Sequence, residues 1–143
     1  MEIIDMAKES NHRSFVQRVF GICATRKAEP GCWRFAGGTL VVDLARAPEL
    51  ARPGGALRVE KSRGLPSRVL IFRDEDGRLH ALENRCSHAG RRLDPNGHAK
   101  QVECCSLGKS HFDCEGHVVG GRARNALRVY SAEEQDGRLL VHV

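Results

Sequence analysis

The stretch CCSLGKSHFD, residues 104–113, contains the strongest chemical signal in the sequence. Two adjacent cysteines, Cys104 and Cys105, precede a glycine, a lysine, a serine and a histidine. Thiolates and imidazoles are common ligands of zinc and iron in proteins. The stretch completes neither a C-x-x-C nor a C-x-x-H spacing, because Gly108 stands three residues after Cys105. It is therefore either half of a metal site or the remains of one.

Short runs with β-strand character surround this stretch and are separated by turn signals. QVECC (101–105) and SHFDC (110–114) are predicted to pair across the intervening loop. Two further hairpins are predicted, RVLIFR with RLHALEN (68–84) and NALRVYSA with RLLVHV (125–143) over the turn EEQDG. Additional strands are predicted at TLVVDL (39–44) and ALRVE (56–60), and RAPEL (46–50) is long enough for one helical turn. The pattern predicts an all-β fold, a small antiparallel β-sandwich or barrel with functional loops at one end.

The first 37 residues have a different texture. Phe15, Val16, Val19 and Phe20 recur at helical spacing and predict a short amphipathic helix within residues 13–22. The stretch CATRKAEPGCW that follows is rich in turn formers. We therefore expect an N-terminal extension over residues 1–37 and one domain over residues 38–143.

Length and composition limit the class of protein. The chain has 143 residues, of which 41% are apolar and 29% are charged, so it is long enough for one domain with a real core. Six cysteines are too few for a disulfide scaffold, and no apolar run reaches the length of a membrane span. Charged residues interrupt the opening MEIIDMAKES, where a secretory signal would be apolar. We therefore expect a cytoplasmic protein whose clustered cysteines bind metal or do redox work.

The formal net charge is +5 and the isoelectric point is near 9.1. The simpler interpretation of this charge is a solvated surface. Nucleic-acid binding is not expected, because no basic stretch is interleaved with aromatic residues for stacking. Basic residues do crowd the cysteine and histidine region, which favours an acidic partner or a negatively charged centre. They are Arg85, Arg91, Arg92, Lys100, Lys109, Arg122 and Arg124.

A second motif, CSH at residues 86–88, precedes the first by a long loop. Taken together, ENRCSHAGRRLDPNG and VECCSLGKSHFDCEGHVVGG resemble the Rieske iron–sulfur domain, whose signature is C-x-H in one loop and C-x-x-H-G-S in a second. The resemblance extends from about Val42 to Val143. It implies a [2Fe-2S] cluster bound by Cys86, His88 and Cys105, with Ser110 near the serine that hydrogen-bonds the cluster. Imidazoles in place of thiolates raise the reduction potential of such a cluster.

The second loop departs from the family pattern, because Gly108 falls where the second histidine ligand is expected. Glycine offers no side chain to iron. The candidates for a fourth ligand are Cys104, next to Cys105, and Cys23 or Cys32 from the extension. Adjacent strand residues point to opposite faces, which disfavours joint ligation by Cys104 and Cys105 unless the strand has already ended.

The remaining histidines and Cys114 are interpreted as ordinary surface or core residues. His111 occupies a place where some members of the resembled family have a non-ligand histidine. Cys114 follows a short strand and is expected to be a small apolar residue. His98 lies in the loop between the two motifs.

Two functions from different classes fit these features. One is electron transfer by a Rieske-like domain with an atypical ligand set, acting on a larger redox partner as a component of an oxidoreductase system. The other is a degenerate binding module that has lost the cluster, or that holds a mononuclear zinc ion with Cys86, His88, Cys105 and another thiolate. Autonomous catalysis is the least favoured, since the sequence has no nucleophile elbow and no phosphate-binding glycine loop.

Overall fold

The structure is a computed structural model, and it describes residues 23–88, 90–96, 100–105 and 110–143. The predicted helix within residues 13–22 and the position of Gly108 lie outside these ranges. Strands dominate the described residues, with short 3₁₀ turns at Pro30–Cys32, Leu44–Arg46 and Pro48–Ala51. The last of these turns lies where the sequence RAPEL predicted a single helical turn.

The described residues form eleven antiparallel strands. They are β1 (Trp33–Ala36), β2 (Thr39–Asp43), β3 (Ala56–Val59), β4 (Val69–Arg73), β5 (Leu79–Glu83), β6 (Leu93–Asn96), β7 (Gln101–Cys104), β8 (His111–Asp113), β9 (Val118–Gly120), β10 (Val129–Gln135) and β11 (Arg138–His142). These strands confirm the predicted all-β fold of antiparallel sheets.

The strands form one sheet of seven and one of four. The large sheet has the order β1-β2-β11-β10-β5-β4-β3, and the small sheet has the order β6-β7-β8-β9. Strand β10 joins the two halves of the large sheet, because Val129 and Tyr130 pair with β5 while Ser131 to Gln135 pair with β11. The large sheet can therefore curl around its own apolar face.

Strand β4 lies between two hydrophobic cores. Val69 and Ile71 belong to a first core, which lies inside the curled large sheet. Leu70 and Phe72 belong to a second core. Side chains of the small sheet fill that second core, among them Leu93, Val102, Cys104 and Phe112. Because successive strand residues point to opposite faces, the apolar run VLIF is buried on both sides. This burial fixes the small sheet, and with it the cysteine-bearing loops, against the large one.

Most predicted strands are present, but the sequence did not predict β1, β6 or β9. The closing hairpin is also tighter than predicted, because β10 extends to Gln135 and leaves only Asp136 and Gly137 in the turn. Both turn residues have positive φ, 53° and 77°. An Asp-Gly pair accepts this conformation readily, and it matches the twist of the flanking strands. The expectation that all of EEQDG forms the turn is therefore wrong.

A core substitution tests the role of β4. We expect Phe72→Ala to lower the free energy of unfolding by about 3–5 kcal/mol. Phe72 is fully buried, so its truncation would leave a cavity between the two sheets. The control is Val119→Ala, whose side chain is half exposed and should change stability by less than about 0.5 kcal/mol. Chemical denaturation of both variants measures the difference, and equal effects would contradict this account of the core.

Candidate metal centre

The backbone of Arg91 and Arg92 joins the two cysteine loops. The carbonyl oxygen of Arg91 accepts a hydrogen bond from the Cys86 amide at 2.7 Å, and that of Arg92 accepts one from the Cys105 amide at 2.9 Å. The second bond extends the pairing of β6 with β7 by one residue. Two consecutive residues therefore hold both predicted ligand cysteines at the same end of the small sheet.

The first loop turns tightly between Asn84 and Gly90. The Gly90 amide donates to the Cys86 carbonyl at 2.8 Å, and the φ of Gly90 is 71°, a conformation that favours glycine. Arg68 braces both ends of this turn, since Nε donates to the Asn84 carbonyl at 3.0 Å and Nη2 to the Gly90 carbonyl at 2.8 Å. Cys86 is buried within this loop, whereas His88 is exposed.

Strand alternation separates the two adjacent cysteines of the second loop. Cys104 pairs with Leu93 and packs with it in the second core. Cys105 follows the strand and points to the other face, the face that also carries Asp94. Both cysteines are buried. Cys104 as a metal ligand stays a prediction, and its packing is that of a core residue.

Ser110 closes the second loop. Its carbonyl oxygen accepts a hydrogen bond from the Cys104 amide at 2.9 Å, and its hydroxyl accepts one from the Ala123 amide at 3.1 Å. The side chain is almost fully buried. Ser110 therefore ties the loop to the segment before β10, and its role toward a cofactor stays a prediction.

A third cysteine comes together with Cys105. The Sγ atoms of Cys23 and Cys105 and a carboxylate oxygen of Asp94 all lie within 4.8 Å of one another. Cys105 and Asp94 are buried, and Cys23 is half-buried. Among the described residues, this is the group of three such side chains close enough to hold one metal ion. Cys86 and His88 are not part of it.

The surroundings of Cys23 favour its thiolate. A hydrogen bond from the Cys105 thiol lowers the pKa of Cys23 to about 7, against the opposing effects of burial and of Asp94. The guanidinium groups of Arg58 and Arg92 act in the same direction as Cys105. A thiolate is the form of cysteine that binds metal ions.

Glu60 holds these two arginines in place. Its carboxylate accepts hydrogen bonds from Arg58 Nη1 at 2.8 Å and from Arg92 Nε at 3.1 Å, and it also contacts Arg92 Nη2. Burial alone would raise the pKa of Glu60, but the two arginines outweigh burial and lower it. Together, Glu60, Arg58 and Arg92 carry one net positive charge beside Cys23.

The other candidates lie in ordinary structural environments. Cys32 is buried in the first core, where burial raises its pKa. Cys114 donates to the Lys100 carbonyl at 3.3 Å, and burial raises its pKa to about 11. His111 is half-buried with Nε2 3.9 Å from Glu103 Oε2, and His80 stacks on Phe72. His12 and His98 lie outside the described residues.

The sequence interpretation missed Asp94. It belongs to β6, which was not predicted, and a single acidic residue in LDPN has no motif that marks it. A usable signal would have been the apolar neighbour Leu93, because alternation places an acidic side chain on the face opposite a core residue.

A comparison with known families agrees with the geometry of the two loops. The sequence profile of the Rieske [2Fe-2S] domain matches residues 42–131, which is more than half of the chain. The chain belongs to the Rieske [2Fe-2S] domain family. A search of curated protein sequences found no match. No helix in the described part of this Rieske protein is long and apolar enough to cross a membrane.

Several solved structures, of ferredoxins and of a Rieske protein, share its fold. The ferredoxin of carbazole 1,9a-dioxygenase from Nocardioides aromaticivorans IC177 is 27% identical, with a TM-score of 0.56 over 71% of this chain and 92% of that one. A chain in the complex of reduced oxygenase and oxidized ferredoxin of carbazole 1,9a-dioxygenase is 21% identical, with a TM-score of 0.54 over 67% and 86%. The plasma membrane Rieske protein PetC3 from Synechocystis PCC 6803 is 20% identical, with a TM-score of 0.52 over 62% and 87%.

The donor set fits iron–sulfur chemistry. Thiolates and imidazoles are the side chains that hold [2Fe-2S] clusters, and the Rieske domain implies such a cluster. Cys86 and Cys105 are buried thiols on loops joined by two backbone hydrogen bonds, and His88 lies two residues from Cys86. Gly108 contributes no side chain.

A charge-removing substitution tests the group formed by Glu60, Arg58 and Arg92. We expect Glu60→Gln to lower the free energy of unfolding by about 1–3 kcal/mol near neutral pH, because two guanidinium groups lose their anionic partner. The pKa of Glu60 is lowered in the folded protein, so its contribution is present above its ordinary value of 4.5 and is lost as the pH falls through the folded value. Denaturant titrations of the metal-free protein from pH 7 downward measure this.

The control for this prediction is Glu133→Gln. The Glu133 side chain is 63% exposed and lies 3.8 Å from His142, so its replacement should have little effect at any of these pH values. A difference between wild type and Glu60→Gln that stayed constant down to acid pH would contradict the electrostatic role of Glu60.

Proposed function

We propose that this chain is a Rieske-type electron-transfer protein that holds a [2Fe-2S] cluster with an atypical ligand set. The observation that carries the proposal is the pair of hydrogen bonds from the Cys86 and Cys105 amides to consecutive carbonyls, because it brings one cysteine from each motif to the same end of the small sheet. The family membership supports the same cofactor. When bound, such a cluster supplies one-electron redox chemistry.

Three residues are proposed as ligands. Cys86 and Cys105 provide buried thiolates, and His88 provides an imidazole on an exposed turn. The exposure of His88 supports a route for electrons at the surface, where a partner protein can approach. Cys104 stays a candidate for the fourth ligand by its position in the sequence.

Ser110 is proposed to contact the cluster. Its hydroxyl oxygen accepts from the Ala123 amide, which leaves the hydroxyl proton to be donated elsewhere. Hydrogen bonds to cluster sulfurs are one of the factors that set the reduction potential. The buried position of Ser110, five residues after Cys105, supports this role.

The proposed partner is a larger redox protein with an acidic docking surface. One structural relative is a chain from a complex of an oxygenase with a ferredoxin, which supports a protein partner of this kind. Exposed arginines flank the two loops and would complement acidic side chains. They are Arg85, Arg91, Arg122 and Arg124. A cytoplasmic location stays a prediction from composition.

A mononuclear zinc site in a degenerate Rieske module is the second candidate function. The observation that favours it is the compact group of Cys23, Asp94 and Cys105, since zinc takes thiolate and carboxylate ligands in a tetrahedral set. The colour of the anaerobically purified protein distinguishes the two functions. A red-brown protein that contains iron and acid-labile sulfide supports the first, and a colourless protein that contains zinc supports the second.

Replacement of a predicted ligand tests the metal centre. We expect Cys105→Ser to lose most of the bound iron while the sheets stay folded, because the strands rather than the loop fill the two cores. Iron analysis and far-UV circular dichroism measure the two properties. Cys114→Ser is the control and should keep its iron. Full iron content in Cys105→Ser would contradict the assignment of this ligand.

The reduction potential tests the ligand set. Rieske centres with two histidines span roughly −150 to +300 mV, and all-cysteine plant-type ferredoxins lie near −400 mV. A thiolate in place of one imidazole adds negative charge and stabilises the oxidised state. We therefore expect a potential between the two groups or at the low edge of the first, measured by protein-film voltammetry. A potential well above zero would mean that a second histidine binds the cluster.

A further inference from the structure

Cys23 and Cys105 lie close enough to bind the same metal centre. Their Sγ atoms are within 4.8 Å of each other. Two thiolates on one tetrahedral metal ion are roughly 3.8 Å apart when each metal–sulfur bond is about 2.3 Å long. A small rotation of the side chains would therefore bring both sulfurs to one metal ion.

We propose that Cys23 is the fourth ligand of the metal centre and shares one metal ion with Cys105, in a chain whose Gly108 offers no side chain. The metal centre would then be held by Cys23, Cys86, Cys105 and His88. This inference rests on the proposed function, because it assigns the fourth ligand of the same cluster. It also assigns Asp94 as a positioning residue that places Cys23 without binding the metal.

Asp94 fixes the residues that follow Cys23. Its Oδ2 accepts a hydrogen bond from the Ala24 amide at 2.7 Å, and its Oδ1 accepts one from the Thr25 amide at 3.0 Å and another from the Thr25 hydroxyl. These contacts join residues about 70 positions apart in the sequence. They hold the backbone on the C-terminal side of Cys23 against β6.

A second anchor holds the same segment along the edge of the large sheet. The Ala28 amide donates to the Arg58 carbonyl at 2.8 Å, and the Arg58 amide donates to the Arg26 carbonyl at 2.9 Å. Arg58 Nε also donates to the Thr25 carbonyl at 3.0 Å. The segment is therefore paired with β3 and clamped by Asp94, so Cys23 extends from a fixed point.

The other thiols fit the role less well. Cys104 lies on the core face of β7, opposite to the face that carries Cys105. Cys32 packs in the first core, and its sulfur is not part of the group formed by Cys23, Asp94 and Cys105. Cys23 is the cysteine outside the two motifs whose sulfur lies within 4.8 Å of Cys105 among the described residues.

Asp94 itself is better suited to positioning than to ligation. Both carboxylate oxygens already accept hydrogen bonds, from the amides of Ala24 and Thr25 and from the Thr25 hydroxyl. A carboxylate has about four lone-pair sites, so these donors occupy most of its capacity. Ligation by Asp94 would weaken the contacts that hold Cys23 in place.

The test compares variants of the full chain, purified anaerobically and reconstituted with iron and sulfide. We expect the wild type to hold about two iron and two sulfide per chain, and Cys23→Ala to lose most of both while its far-UV circular dichroism is unchanged. Cys32→Ala is the matched control and should keep both. Asp94→Asn should weaken iron retention roughly tenfold against a chelator, as expected for a residue that orients a ligand.

A measurement on the wild type avoids any dependence on folding of the variants. Pulsed electron paramagnetic resonance of the reduced protein counts the nitrogen ligands, and we expect one strongly coupled imidazole. Alkylation followed by mass spectrometry should show Cys23 protected in the loaded protein and modified after iron removal.

The outcomes separate this inference from the proposed function. One outcome is that the wild type binds an iron–sulfur cluster and that Cys23→Ala keeps its full iron content with an unchanged resonance spectrum. This outcome would overturn the role of Cys23 but would not contradict the proposed electron transfer. Two strongly coupled imidazole nitrogens in the wild type would also overturn the role of Cys23, because a second histidine would then be the fourth ligand. Wild type that binds zinc or no metal would overturn both proposals.

Discussion

The buried carboxylate of Asp94 is the contact on which the arrangement of the site depends. Burial of a carboxylate is unfavourable by several kcal/mol unless donors compensate for the lost water. Here the donors are two backbone amides and one hydroxyl from Ala24 and Thr25. These hydrogen bonds stabilise the buried charge of Asp94, and they also hold the segment that contains Ala24 and Thr25 in place. The N-terminal segment is thereby made part of the site, and Cys23 is carried next to Cys105.

The small sheet provides the frame for this contact. Alternation along β6 places Leu93 in the core and Asp94 on the other face, and alternation at the end of β7 does the same for Cys104 and Cys105. The carbonyls of Arg91 and Arg92 then fix Cys86 and Cys105 relative to each other. Strand alternation in this sheet therefore separates Cys104 on the core face from Cys105 on the opposite face.

The sequence predicted the fold class and most strands because their signals are local. RVLIFR shows its burial directly, since β4 packs against a core on each face. Strand β1 was missed because its four residues, WRFA, follow the turn formers of a stretch that was assigned to the N-terminal extension. β6, with a proline inside LDPN, resembles a turn in sequence. Its place in the sheet comes from pairing with β7, a contact that no local pattern records.

The candidate site, like the fold, was predictable where its signals are local in the sequence. Cys86, His88 and Cys105 follow from their spacing and from the family resemblance, both of which are visible in the chain. The approach of Cys23 was one of several alternatives, because nothing near residue 23 selects it over Cys32. The choice depends on Asp94 and Arg58, which are distant in sequence, so only the folded chain separates the two cysteines.

The charges around Cys23 bear on what a third thiolate requires. Replacement of a neutral imidazole by a thiolate adds one negative charge to a partly buried centre, which is unfavourable without a compensating cation. Arg58 and Arg92 share the single carboxylate of Glu60, so this group carries one net positive charge beside Cys23. The Cys105 thiol and these two arginines favour the thiolate of Cys23 against burial and the negative charge of Asp94. A chain with glycine at position 108 therefore has, beside Cys105, a further thiol whose surroundings favour its ionised form.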